Sequence, residues 1–215
     1  MRLIDVSPVL HPGIGVWPGD VPLTREVALS IADGANLDLS SIRTTVHVGA
    51  HADAPSHYVA GGASIEARPL GRYLGPCQVI AVDVPRGRRV RPDDLRSPVR
   101  APRVLLHTGS FPDPDTFTTD FCSLSPELVH ALADAGVVLV GVDTPSVDPF
   151  DSKALESHQA LAARDLAVLE GLTLGAVAPG LYTLIALPLP IRGADASPVR
   201  AILIDDGGNS LRDLL

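Results

Sequence analysis

The chain has 215 residues, 46% of them hydrophobic and 20% charged, which suits one globular domain with a sizeable core and excludes a disordered chain. Its net charge of −8 argues against a nucleic-acid partner, which would require a basic face. No apolar run approaches the ~18 residues of a membrane span, and the opening MRLIDVSPVL lacks the basic and long apolar regions of a signal peptide, so the expectation is a soluble cytoplasmic protein.

The 20 prolines and 19 glycines are scattered, so they punctuate many short elements and mark no linker. Strands rich in Val, Ile, Leu and Thr are expected over 27–31 (VALSI) and 41–48 (SIRTTVHV), then over 77–84 (CQVIAVDV) and 103–108 (RVLLHT). The Arg-dense segment between them, 84–103, is interrupted by acidic residues and reads as a solvated loop. A first helix is expected in LSPELVHALADAG, with Ser125 as N-cap, Pro126 at the first helical position and Gly136 as the stop. Strand VVLVGVD (137–143) leads into the turn-rich DTPSVDP, and a second helix follows at 152–164 (SKALESHQALAAR). Three further strands are expected at 166–171, 181–189 and 199–204. The fold class is therefore α/β: a single strand-rich mixed-sheet domain over 1–215 with two main helices. Cys77 and Cys122 are too isolated for a disulfide framework or a zinc ribbon.

One stretch, TTVHVGAHADAPSHY, gathers His47, His51, Asp53 and His57 in a chain with only seven histidines. Neutral imidazole and carboxylate are ligands for zinc and similar metals. Convergence on one ion needs a bent chain, which Gly49 beside Ala50 permits, while His51 and Asp53 face one side where the chain re-extends. Pro55 stiffens the turn that delivers His57. Packing alone accounts poorly for this spacing, although a carboxylate–histidine network without metal would use the same residues.

HVGAHADAPSH resembles the H-x-G-[TA]-H-x-D-x-P-x-H signature of the cyclase family of metal-dependent hydrolases. Supporting stretches run along nearly the whole chain: 4–20, 73–80, 140–149, 157–172 and 195–203. Ala50 and the VWPGD segment bring the resemblance nearest to the bacterial kynurenine formamidases (arylformamidases) within that family.

The resemblance implies a swivelling β/β/α-like fold and two Zn2+ ions per subunit, with Mn2+ an alternative. It implies His47, His51 and Asp53 on one ion, Asp53, His158 and Glu170 on the other, and Glu170 touching both. By residue type alone His158 is an ordinary helix-surface histidine and Glu170 an ordinary strand-end carboxylate. It further implies His57 as the proton donor and acceptor, and Trp17 against the aryl ring of the substrate. The implied reaction converts N-formyl-L-kynurenine and water to L-kynurenine and formate in tryptophan degradation, by metal-activated hydroxide with a histidine acid/base. A homodimer with its site near the subunit contact is also implied. His57 as a third histidine ligand of the first metal, and Asp143, Thr144 and Ser146 as groups orienting the ligands, remain open on the residues alone. So do a cyclic-amide hydrolase such as an isatin hydrolase, and a metal-binding protein without turnover.

Overall fold

The structure is a computed structural model that describes residues 1–205; the last ten positions of the expected domain, 206–215, lie outside the described residues. In chain order it comprises β1 (Arg2–Asp5), β2 (Thr24–Leu29), β3 (Leu39–Arg43), β4 (His51–Asp53), β5 (Leu74–Ala81), β6 (Arg89–Val90), β7 (Arg103–His107) and β8 (Ser123–Leu124). Then come α1 (Pro126–Asp134), β9 (Leu139–Val142), α2 (Glu156–Ala163), β10 (Ala167–Glu170), β11 (Gly180–Ile185), β12 (Ala196–Pro198) and β13 (Ile202–Asp205). Nine strands form one mixed, curled sheet in the order β1-β13-β11-β5-β7-β9-β10-β4-β12, in which β5, β7, β9 and β10 run parallel.

The central parallel strands are buried on both faces, as their near-continuous apolar sequences require. Leu105, Leu139, Ala167 and Leu169 point into one core. Val104, Val140, Val142 and Val168, one residue out of phase, meet Leu128, Leu132 and Leu161 of the helices on the other face. α1 ends as its sequence foretells. Ser125 Oγ accepts from Leu128 N, and Gly136 takes a φ of +84°, with Gly136 N donating to Ala133 O and Val137 N to Leu132 O in a Schellman closure.

Several expected boundaries shift for physical reasons. The strand expected over 41–48 stops at Arg43, because Thr45 N pairs with Val21 O, Thr45 Oγ1 accepts from His47 N, and the chain turns through 46–50. The strand expected over 181–189 ends at Ile185, ahead of Pro188 and Pro190, which cannot donate to a ladder. The strand expected over 199–204 straddles a switch of partners, from β12 on β4 to β13 on β1 and β11. VALSI reads as a buried strand by its apolar sequence but is largely exposed: Val27 and Leu29 lie in the hairpin β2–β3, both strands of which face solvent throughout. The Arg-dense segment is only partly a solvated loop. Arg103 is buried and donates to the carbonyls of Arg72, Gly71 and Pro76, while Arg89 reaches inward to Asp148.

Candidate metal centre

Three neighbouring elements build the site on the helix-covered face of the sheet. β10 pairs with β4 so that Glu170 lies opposite His51 and Val168 opposite Asp53. Residues two apart share a face, so His51, Asp53 and Glu170 project together. α2 lies over them, and His158 in its first turn points down into the cluster, only 2% exposed. The turn through 46–50 then delivers His47: Gly49, at φ +59°, bends the chain between His47 and His51.

The facing atoms keep a repeated spacing. His51 Nε2 lies 3.5 Å from Asp53 Oδ1 and 3.4 Å from Glu170 Oε2. His158 Nε2 lies 3.4 Å from both Asp53 Oδ2 and Glu170 Oε1. Ligand-to-ligand edges of about 3.3–3.4 Å are what a tetrahedral ion with bonds of about 2.0–2.1 Å imposes. His47 Nδ1 stands 3.0 Å from Asp53 Oδ1. None of these approaches has hydrogen-bond geometry for Asp53, and both of its buried carboxylate oxygens and His158 Nε2 lack a hydrogen-bond partner among the described residues. A buried carboxylate left without donors is costly unless a cation meets it.

Two ligand triads therefore share one residue. His47, His51 and Asp53 bring one donor atom each within 4.8 Å of one another, and so do Asp53, His158 and Glu170. Both sets could hold a metal ion, with Asp53 offering one oxygen to each. Without an ion, the charges of the cluster balance against its protons. Burial opposes the ionisation of Asp53, yet His158 and His47 around it hold its carboxyl well below the usual range. Burial likewise opposes charge on His47, but Asp53 and Asp195 outweigh it and raise its pKa to about 9. His158 is held well above its ordinary value against its own burial by Asp148, Asp53 and Glu170.

The outward nitrogen of each of these imidazoles is also fixed. His51 Nδ1 donates to Gly49 O at 2.9 Å, and His47 Nε2 faces Asp195 Oδ2 at 3.0 Å. His158 Nδ1 meets Asp148 Oδ2 at 2.9 Å. Asp148 is fully buried and accepts from Ser157 N and His158 N, so the same carboxylate caps α2 where Leu155 has no side-chain cap to offer. Arg89 Nη1 at 3.1 Å neutralises it. Such outer partners set tautomer and ring orientation.

DTPSVDP serves the site through different groups from those considered on the sequence. Val147 N donates to Glu170 Oε1 and Asp148 holds His158, whereas Asp143 accepts from Thr108 and Gly109, away from the ligands. Thr144 and Ser146 hydrogen-bond within the turn itself. Neither Asp148 nor Asp195 was singled out on the sequence, although both lie in stretches that carry the resemblance.

The cluster opens into a cavity of about 440 Å³. His47, His51, His158 and Glu170 line its floor, and Trp17, Phe111 and Phe117 its apolar wall. Trp17 stacks 5.0 Å from Phe150 and meets Phe117 edge-on at 5.4 Å. His57 sits at the rim, its ring centroid 4.3 Å from that of His47, and its Nδ1 faces Asp195 rather than Asp53 or Glu170. Six of the seven residues singled out on the sequence, Trp17, His47, His51, His57, His158 and Glu170, thus line one cavity, and the seventh, Asp53, lies buried among its ligands.

A family model described as putative cyclase matches residues 4–149. A kynurenine formamidase from Bordetella petrii is 46% identical over 209 residues, 96% of this chain and 99% of that protein. A solved structure described as a potential metal-dependent hydrolase with cyclase activity superposes with a TM-score of 0.80 at 29% identity, over 94% of this chain and 96% of the other. Isatin hydrolase A from Labrenzia aggregata shares the fold, with a TM-score of 0.76 at 22% identity over 94% and 93% of the two chains. The chain belongs to the cyclase family, and the strand-rich curled sheet with two helices is the fold of its structural neighbours.

Proposed function

We propose that this cyclase-family hydrolase is a zinc-dependent kynurenine formamidase, converting N-formyl-L-kynurenine and water to L-kynurenine and formate in tryptophan breakdown. One observation carries the reading: a buried carboxylate, Asp53, with both oxygens unmet, stands between two ligand triads at the floor of an aromatic-walled cavity. The near full-length likeness to the Bordetella petrii enzyme supports the choice of substrate.

In this reading His47, His51 and Asp53 hold one ion, and Asp53, His158 and Glu170 the other. The imidazole and carboxylate donors suit zinc and would also accept manganese. Bound there, the metal supplies Lewis acidity, lowering the pKa of water towards 7 and polarising the formyl carbonyl.

The remaining steps belong to side chains. His57 lines the cavity with its Nδ1 on Asp195 rather than on Asp53 or Glu170, which supports an acid/base more than a third histidine ligand. Its Nε2 takes a proton from the attacking water and returns it to the aryl amine as the formyl C–N bond breaks. Trp17, with Phe111 and Phe117 beside it, packs against the substrate's aryl ring and excludes water from the site.

The proposed assembly is a homodimer. Hairpin β2–β3 leaves the chain between the Trp17 segment and the His47 turn, and a two-stranded ribbon is marginal by itself. Val27 and Ile42, 53% and 66% exposed on one face of it, need cover, which a second copy would provide near the site.

The test follows kynurenine release from N-formyl-L-kynurenine by purified protein, before chelation, after chelation and after zinc is restored. Turnover that disappears with the chelator and returns with zinc supports the reading. A folded, zinc-loaded protein without turnover rejects it, and isatin becomes the next substrate to try.

A further inference from the structure

Asp195, a carboxylate outside the two ligand triads, touches both a ligand and the proposed acid/base. Asp195 Oδ2 lies 3.2 Å from His57 Nδ1 and 3.0 Å from His47 Nε2. We propose that Asp195 is a positioning residue for catalysis: by accepting from His57 Nδ1–H it fixes the tautomer that turns His57 Nε2 towards the substrate, and by accepting from His47 Nε2–H it leaves His47 Nδ1 free to bind metal. This inference rests on the formamidase reading above.

The backbone sets that contact in advance. Ala54 is fully buried, and its two peptide groups hold both partners: Ala54 N donates to Asp195 O at 2.8 Å, and Ala54 O accepts from His57 N at 2.9 Å. Asp195 lies just before β12, whose register places Ala196 opposite Asp53. His57 ends the short 3-10 turn Pro55–His57, which follows directly on β4. The sheet edge and the turn thus deliver a carboxylate and an imidazole to the same place with no long flexible segment between them.

The chemistry follows from which nitrogen carries the hydrogen. A neutral imidazole has one N–H, and a carboxylate oxygen can only accept, so Asp195 draws that hydrogen to Nδ1 of His57 and to Nε2 of His47. The lone pair of His57 is then on Nε2, the nitrogen required for proton transfer. Once metal displaces the second proton of His47, its lone pair is on Nδ1, which stands 3.0 Å from Asp53 Oδ1 inside the ligand cluster. A single oxygen therefore selects two complementary tautomers, one for proton transfer and one for coordination. Asp195 touches neither substrate nor reacting atoms and acts through its two histidines.

Asp195→Ala and Asp195→Asn, each in the wild-type and the His57→Ala backgrounds, separate this role from that of a plain ion pair at the cavity rim. In the zinc-loaded protein, Asp195→Ala is expected to lower kcat for N-formyl-L-kynurenine by about 10–100-fold with KM little changed. In the His57→Ala background the same change is expected to lower kcat by much less, because only the contact with His47 is left for it to act through. Asp195→Asn keeps a carbonyl acceptor and should recover part of the loss, which also guards against an alanine variant that misfolds. Nitrogen-15 spectra of the imidazoles supply a readout independent of turnover: His57 should carry its proton on Nδ1 in the parent and shift towards Nε2–H in Asp195→Ala. Wild-type kcat in Asp195→Ala, an equal further loss in the His57→Ala background, or an unchanged His57 tautomer would each overturn the proposal. Absence of turnover by the zinc-loaded parent would instead reject the formamidase reading, and the imidazole spectra would still decide what Asp195 does.

Discussion

Gly171 lies with its backbone against that of Gly49: a Cβ built on Gly171 would stand 2.2 Å from Gly49 O and 2.9 Å from Gly49 C. The two glycines have φ values of +66° and +59°. One follows Glu170 at the end of β10, and the other makes the bend between His47 and His51. Their contact locks the two halves of the ligand cluster together, and Gly171 N donates to Thr144 O to tie in the DTPSVDP turn.

Gly171→Ala therefore meets a backbone collision and a left-handed conformation together. The expected cost is about 3 kcal/mol or more, a Tm lower by roughly 6–12 °C for a chain of this size, with weaker metal retention. Calorimetry and metal analysis of the variant check this. An unchanged Tm with full metal content would mean that the Gly49 turn can move without disturbing the site.

Trp17→Ala removes the centre of an aromatic group that includes Phe117, Phe121 and Phe150. Losing a stacked aryl contact of about 0.5–1.5 kcal/mol should raise KM several-fold, up to about tenfold, while zinc is retained. Steady-state kinetics beside metal analysis separate the two effects. A lower Tm with unaltered kinetics would make Trp17 a packing residue only.

Protons compete with metal at His47. Burial lowers its tendency to charge, but Asp53 and Asp195 outweigh it and bring the pKa of the metal-free protein to about 9, above the ordinary 6.5. Protonated His47 thus stabilises the metal-free fold fully below 6.5, and that contribution fades as pH rises through about 9. Zinc must displace this proton, so its affinity should climb as pH rises towards about 9 and level off above it, with net proton release at neutral pH. Titration calorimetry in two buffers of different ionisation enthalpy measures the release. A pH-independent affinity without released protons would contradict the assignment of His47 as a ligand.

Both cysteines are buried, and burial pushes the Cys77 thiol up to about 12, with Cys122 raised by the same cause. Neither should react with iodoacetamide at pH 8 in the native protein, and both should react after unfolding. Mass spectrometry of alkylated samples reads this directly. Rapid native labelling of Cys77 would mean that the strand β5 opens easily.

Much of the site was legible in the sequence because its first half is local. His47, His51, Asp53 and His57 declare themselves by spacing, and a Gly and a Pro between them mark the bends. The capped helix α1 was legible for the same reason, since Ser125, Pro126 and Gly136 act within one element. His158 and Glu170 look ordinary in sequence, and family resemblance alone nominated them. What joins them to Asp53 is the β10–β4 register and the placement of α2, which are tertiary facts. Asp148 and Asp195 escaped notice because a lone Asp in a turn usually caps backbone groups. Asp148 does that too, and holds His158 with the same carboxylate. The exposed β2–β3 ribbon was misread because its Val and Leu follow the pattern of a buried strand, and sequence periodicity does not say what covers a face.

The most direct test of the central claim is a zinc titration of the chelated protein, in which N-formyl-L-kynurenine hydrolysis is measured at each ratio of metal to chain and repeated with Asp53→Ala. Activity is expected to rise from nothing to a plateau at two ions per chain, and Asp53→Ala, which removes the residue common to both triads, should neither bind two ions nor turn over. Full activity without zinc, or a fully active Asp53→Ala variant, would contradict the dinuclear account.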